Sequence, residues 1–164
     1  LGKIDEGKIQ VRFSEFSVTE LMRSFVNEMN SIARKGQQIK YDHTGENKIN
    51  LDASLFKHIV MNLVSNAIKF SPENSFIYIK TGNNADNFSL SVKDSGIGIS
   101  KEDQEHLFER FYRGANVTNI QGTGLGLHIV SKYAELMNGS ISCNSALEQG
   151  TEFIITFKTE NTLE

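Results

Sequence analysis

Asn62, Asn66 and Lys69 stand four and three residues apart in N-L-V-S-N-A-I-K-F, Asn62 to Phe70. On a helix that spacing places all three on one stripe, beside a broad arc of apolar side chains. Asn is a mediocre helix former, and two of them flanking a core-facing surface need hydrogen-bond partners, which a polar ligand can supply. A second group is D-S-G-I-G, Asp94 to Gly98. The missing side chains of Gly96 and Gly98 let the backbone on either side of Ile97 approach a flat base closely. The Asp94 carboxylate can accept a hydrogen bond from the exocyclic amine of adenine, which disfavours guanine with its carbonyl at that position. A third group, G-T-G-L-G-L at Gly122 to Leu127, opens a helix, so its backbone N–H groups and the helix dipole suit an anionic phosphate. G-T-E-F at Gly150 to Phe153 completes the set. Each segment is weak evidence alone; in this order they describe a nucleotide pocket. Two rival phosphate sites fail: the third glycine falls at Gly126, one residue early for G-x-G-x-x-G, and no G-K-[ST] occurs, since Lys3 and Lys8 are each followed by Ile.

These residues must be positioned by elements that the pattern also predicts. Asp52 caps a helix carrying Leu55, Phe56, Ile59, Val60, Leu63, Val64 and Ala67, and Pro72 ends it by pushing Ser71 out of helical geometry. Upstream, Lys8–Phe13 alternates Ile9, Val11 and Phe13 with polar residues and reads as a strand. Ser17 and Glu20 form a capping box for a helix that carries Ile32 and Ala33 and ends at Gly36. Gln38–His43 and Lys48–Leu51 read as two short strands around a turn, and Ser75–Gly82 with Asn87–Asp94 as a hairpin. Ser95–Thr123 holds one helical piece at Lys101–Phe108, an aromatic and arginine cluster, and a polar stretch, the pattern of a lid. A last helix spans Leu125–Met137, closed by Asn138 and Gly139, before strands at Ser140–Ser145 and Thr151–Lys158. The mixture predicts an α+β fold: a two-layer α/β sandwich with one mixed sheet and helices on a single face.

Composition sets limits. At 164 residues, 38% hydrophobic and 23% charged, the chain is long enough for one domain with its own core. A net charge of −3 gives no electrostatic reason to expect nucleic acid. No apolar run approaches a membrane span, so no direct membrane contact is expected and the placement reads as cytoplasmic. Cys143 is the only cysteine and reads as inert. Residues 1–7 read as the tail of an upstream helical hairpin and linker, residues 8–159 as the domain, and residues 160–164 as a disordered tail or cloning scar.

At the quoted segments, over about Lys8 to Phe157, the chain resembles the ATP-binding catalytic domain of sensor histidine kinases. That domain belongs to the superfamily shared with gyrase-type topoisomerases, the Hsp90 chaperones and the MutL repair proteins, and the resemblance implies a Bergerat-type ATP-binding fold. It further implies ATP and Mg²⁺ as cofactors, with Asn66 an oxygen ligand to the metal and Asn62 positioning the hydrated phosphate group. Lys69 would donate to the phosphates, and Phe70, often Tyr in the family, would pack on the nucleotide. Asp94 would make the base-reading contact, with Thr151 supporting it through water; Gly96, Ile97 and Gly98 line the base. Gly122, Thr123, Gly124, Leu125 and Gly126 would hold phosphate. F-E-R-F-Y-R at Phe108 to Arg113 resembles the family's lid motif, with Phe108 and Phe111 as anchors and Arg113, rather than Arg110, reaching the γ-phosphate. His58, one turn before Asn62, reads as a surface or supporting residue.

The resemblance also carries partners. The γ-phosphate would go to a histidine on a separate dimerisation domain upstream, and from there to a response regulator. His43, His58, His106 and His128 all lack the acidic residue and Pro that follow the family's acceptor histidine, so this stretch should bind nucleotide, as a monomer, without labelling itself. In the gyrase and Hsp90 branches the position of Asn62 is a Glu that activates water; Asn cannot accept a proton near neutral pH, which weighs against a hydrolase. The other readings are an ATPase of that type, an anti-sigma-type serine kinase, and a non-catalytic nucleotide-sensing interaction module.

Overall fold

The structure, a computed structural model, describes residues 9–109 and 126–158. Helix α2 spans Ala53–Phe70, as its end signals require. The Asp52 Oδ1 accepts from the Leu55 N–H at 3.0 Å, capping the first turn, while Oδ2 accepts from the Arg12 N–H at 2.9 Å. Its far end is held by Gln37, whose Nε2 lies 3.1 Å from both the Ile68 and Ser71 carbonyls. Those are carbonyls that the helix end itself leaves unpaired.

Helix α2 lies on a five-stranded sheet ordered β2-β4-β5-β7-β6: β2 Gln38–Gly45, β4 Phe76–Asn83, β5 Asn87–Lys93, β7 Thr151–Lys158 and β6 Gly139–Ser145. Only the β2–β4 pair is parallel. Alternation puts Ile77, Ile79, Phe88, Leu90, Val92, Phe153, Ile155 and Phe157 on the buried face. Facing them are Phe56, Ile59, Val60 and Leu63 of α2; Met22, Phe25 and Met29 of α1, Val18–Ile32; and Val130 and Ala134 of α4, Gly126–Leu136. The helices thus cover one face, as expected, and Phe76 and Tyr78 are exposed on the other. Phe56 sits at the centre, its ring 5.8 Å from Phe88 and 6.5 Å from Phe157. Truncating it to Ala would cost about 3–5 kcal/mol, because a site enclosed on all sides cannot collapse.

Four local expectations are corrected. The strand expected at Lys8–Phe13 forms later, as β1 at Ser14–Ser17; the Arg12 N–H is taken by the Asp52 carboxylate, and the described residues 9–13 build no ladder. There are two sheets among the described residues, since β1 pairs with β3, Lys48–Leu51, apart from the main sheet. Strands β2 and β3, adjacent in sequence, therefore do not pair with each other. Helix α1 stops at Ile32, which is exposed, instead of running on towards Gly36. In the region read as Lys101–Phe108, helix α3 covers only Lys101–Gln104.

Candidate functional site

Asp94 follows β5 directly and is half-buried between two backbone donors. Its Oδ1 accepts from the Gly96 N–H at 2.8 Å and from the Thr151 N–H at 3.2 Å. Oδ2 is thereby left as the oxygen able to receive a further donor. Burial raises the carboxyl pKa above its ordinary 3.8, and the N–H groups of Gly96 and Thr151 pull it partly back. A ligand donor at Oδ2 would offset that desolvation.

The surrounding backbone is packed to the point where side chains do not fit. A Cβ on Gly96 would stand 2.6 Å from the Phe70 carbonyl, so the Asp94 loop lies against the C-terminal end of α2. Gly150 has φ +82°, and a Cβ there would overlap the Asp94 carbonyl. The β6–β7 turn is latched onto the same loop: the Glu148 N–H donates to the Ile97 carbonyl at 2.7 Å, and the Ile99 N–H to Ser145 Oγ at 2.8 Å. Gln104 Nε2 bridges the Ile99 and Ser145 carbonyls at 2.8 and 3.0 Å.

At the other end of the α2 stripe, Asn62 Nδ2 donates to the His58 carbonyl at 2.9 Å. Its Oδ1 lies 3.3 Å from where a Gly126 Cβ would stand, so the start of α4 abuts Asn62. Asn66 is half-buried between the two ends. Lys69 is exposed, with Nζ 5.8 Å from the Phe70 ring centre. His58 is exposed, donates from Nδ1 to the Ser54 carbonyl at 2.9 Å and meets Tyr133 edge-on at 6.0 Å. Phe108 packs edge-on against Phe153 at 6.3 Å, and its carbonyl accepts from His128 Nδ1 at 3.2 Å.

The structure thus gathers Asp94, Gly96, Thr151 and Phe70 at one end and Asn62 and Gly126 at the other, with Asn66 and Lys69 along the helix between them. Ile97 and Gly98 sit in the latched loop. Arg110, Phe111, Arg113, Gly122, Thr123, Gly124 and Leu125 lie outside the described residues. Sequence reasoning missed Gln37, Gln104 and Ser145, whose bonds reach 31 to 46 residues along the chain and leave no local signal.

A separate cavity of about 780 Å³ opens at the other end of β5, lined by residues including Asn50, Asn83, Asn87 and Lys158 and by none of the candidate site residues. Among the described residues, no cluster of three or more His, Cys, Asp or Glu could hold a metal. A hard ion that keeps its waters and shares phosphate oxygens needs no such cluster, and the amide oxygen of Asn66 suits it. No described helix is long and apolar enough to cross a membrane. The half-buried Cys143 thiol is pushed up to about 11, by burial and then by the Asp94 charge.

The family model described as histidine kinase-, DNA gyrase B-, and HSP90-like ATPase matches residues 51–161, more than half of the chain. The chain belongs to this ATPase family. The ATPase domain is 29% identical over 170 residues to the circadian input-output histidine kinase CikA of Synechococcus elongatus, covering all of this chain and 22% of that protein. The crystal structure of full-length ShkA in complex with AMPPNP superimposes with a TM-score of 0.85 at 26% identity, over 96% of this chain and 34% of that one. The catalytic domain of histidine kinase ThkA, nucleotide-free, superimposes at 0.77 and 28% identity, over 90% of this chain and 98% of that one. The chain is a histidine kinase-like ATPase catalytic domain, homologous to sensor histidine kinases. It spans about a fifth to a third of the length of the curated relatives it matches.

Proposed function

We propose that this domain binds Mg²⁺-ATP along the α2 stripe and presents the γ-phosphate to a histidine on a separate dimerisation domain upstream, in the cytoplasmic part of a sensor kinase that feeds a response regulator. The reading is carried by the Asp94 carboxylate, whose Oδ1 is bonded to two backbone N–H groups while Oδ2 has no hydrogen-bond partner among the described residues. It stands at one end of a helix face whose other end carries Asn62 against Gly126.

In this reading Asp94 Oδ2 accepts from the exocyclic amine of adenine, and Gly96, Ile97 and Gly98 give the base a backbone wall. Phe70 packs on the nucleotide. Lys69 and Arg113 donate to the phosphates, as do the backbone N–H groups of Gly122 to Gly126. Asn66, with Asn62 beside it, would hold Mg²⁺, which when bound neutralises charge on the β- and γ-phosphates. The protein otherwise contributes positioning and charge stabilisation. Asn62 can orient a phosphate but cannot deprotonate water, which favours transfer over hydrolysis.

Calorimetric titration with a non-hydrolysable ATP analogue, with and without Mg²⁺, tests the pocket. Saturable binding on the order of 10 μM, about −7 kcal/mol, is expected, strengthened by metal. Labelling of a supplied histidine hairpin with γ-³²P-ATP tests the transfer. Absence of nucleotide binding under every condition would overturn the reading, and binding without transfer would reduce the domain to a nucleotide sensor.

A further inference from the structure

Helices cover one face of the main sheet, and strand alternation fixes what the other face shows. Over most of its width that face is small and hydroxylated: Ser89 and Ser91 of β5, Thr156 of β7, Ser140 and Ser142 of β6. Such side chains are enough to keep a sheet solvated. The β2–β4 corner differs. Phe76 and Tyr78, two residues apart on β4, are 40% and 43% exposed, with ring centres 5.8 Å apart and planes tilted by 31°. Exposed apolar groups rimmed by polar ones mark contact sites.

The strand register sets these rings among lysines. Lys40 of β2 and Lys93 of β5 are both direct partners of Tyr78, one on each side, and Lys80 follows two residues along β4. Lys40 lies over the Phe76 ring, Nζ 5.1 Å from its centre. All three lysines are exposed. Asp42 is the register partner of Lys80 and Glu152 that of Lys93, yet none of the three lysines forms an ion pair among the described residues. With Lys158 the face carries four lysines against these two carboxylates, an excess of cation in a chain whose net charge is −3.

We propose that this corner of the open sheet face is a docking surface for an acidic protein segment that carries an apolar side chain between its carboxylates. Charge complementarity selects the occupant: a carboxylate on either side of Tyr78 meets an unneutralised ammonium, and the apolar side chain between them covers the two rings. Lys40 and Lys93 are two strand spacings apart, about 10 Å, which an extended segment crosses in about three residues. A pair of copies meeting through this corner would set lysine against lysine. Nucleic acid fits less well, because Asp42 and Glu152 stand within the surface and repel phosphate. The rings and lysines face away from α2, so the proposal stands whatever the α2 stripe binds.

The test is a titration of the ¹⁵N-labelled domain with a synthetic peptide of repeated Glu-Glu-Phe, read by backbone amide shifts. Three other probes run beside it: the peptide with Gln for Glu, the peptide with Ala for Phe, and oligodeoxythymidine. Amides around Lys40, Tyr78 and Lys93 should shift and saturate with the acidic aromatic peptide, those of α2 should not, and added salt should weaken the effect. Lys40→Glu and Tyr78→Thr, both at exposed positions, should each weaken the peptide about fivefold and leave affinity for the ATP analogue unchanged. The amide spectrum of each variant reports its folding; should Lys40→Glu not fold, Lys40→Gln takes its place. Absence of shifts on this face, equal binding by the Gln peptide, or wild-type affinity in both variants overturns the proposal. Oligodeoxythymidine shifting the same amides at lower concentration than the peptide also overturns it, in favour of a nucleic-acid surface.

Discussion

Asp94 and Thr151 hold each other reciprocally: the Asp94 N–H donates to the Thr151 carbonyl at 2.9 Å, and the Thr151 N–H donates to Asp94 Oδ1 at 3.2 Å. The carboxylate is therefore oriented by a strand 57 residues away in sequence before any nucleotide arrives. Orientation in advance removes an ordering cost from binding.

Asp94→Asn should separate binding from stability. The amide can keep an oxygen on Gly96 and Thr151 but turns the open position from acceptor to donor. A hydrogen bond to a charged group is worth about 1.5–3 kcal/mol, so ATP-analogue affinity should fall roughly ten- to hundredfold by calorimetry. Stability in urea at neutral pH should be equal or higher, because the variant no longer buries a charge.

Acidification should act on the same group in two directions. A carboxyl whose pKa is higher folded than unfolded contributes stability below the unfolded value, and that contribution is lost as pH rises through the folded value. Lowering the pH towards and through the raised Asp94 pKa should thus ease the cost of its burial, while protonation of the carboxyl weakens adenine binding. Affinity measured at stepped pH should begin to drop above the ordinary Asp range near 3.8, and Asp94→Asn should lack this component of the drop.

Asn66→Ala should collapse the effect of Mg²⁺. Wild-type affinity for the ATP analogue should differ with and without metal, and in the variant the two values should converge, with metal-free binding little changed. Asn66→Asp, which restores an oxygen, should recover metal dependence. Persistent metal dependence in Asn66→Ala would remove Asn66 from the coordination shell.

Cys143 should resist alkylation in the folded domain. With its pKa pushed up to about 11, only about one thiol in a thousand is ionised at pH 8, and the thiolate is the nucleophile. Mass spectrometry after iodoacetamide should find little label in buffer and rapid, complete label in urea.

The elements with clear end signals were legible from the chain. Asp52 and Pro72 bracket α2, whose observed span is Ala53–Phe70. Strands β4 and β5 lie within a residue or so of the expected hairpin, because alternating Ile, Phe and Val residues bounded by Asn83–Asp86 carry their own period. Where pairing is a choice among distant partners, periodicity was silent. It did not show that β3 would join β1 rather than β2, nor that Arg12 would give its N–H to Asp52.

The chemistry of the site was likewise written locally: the spacing of Asn62, Asn66 and Lys69 is a helix property, and D-S-G-I-G is a property of a strand end. Folding decided the orientation of that chemistry. Which Asp94 oxygen is bonded depends on Gly96 and on Thr151, 57 residues away. A carboxylate has the same composition whichever way its lone pairs face; only the neighbours brought up by the tertiary fold remove that freedom.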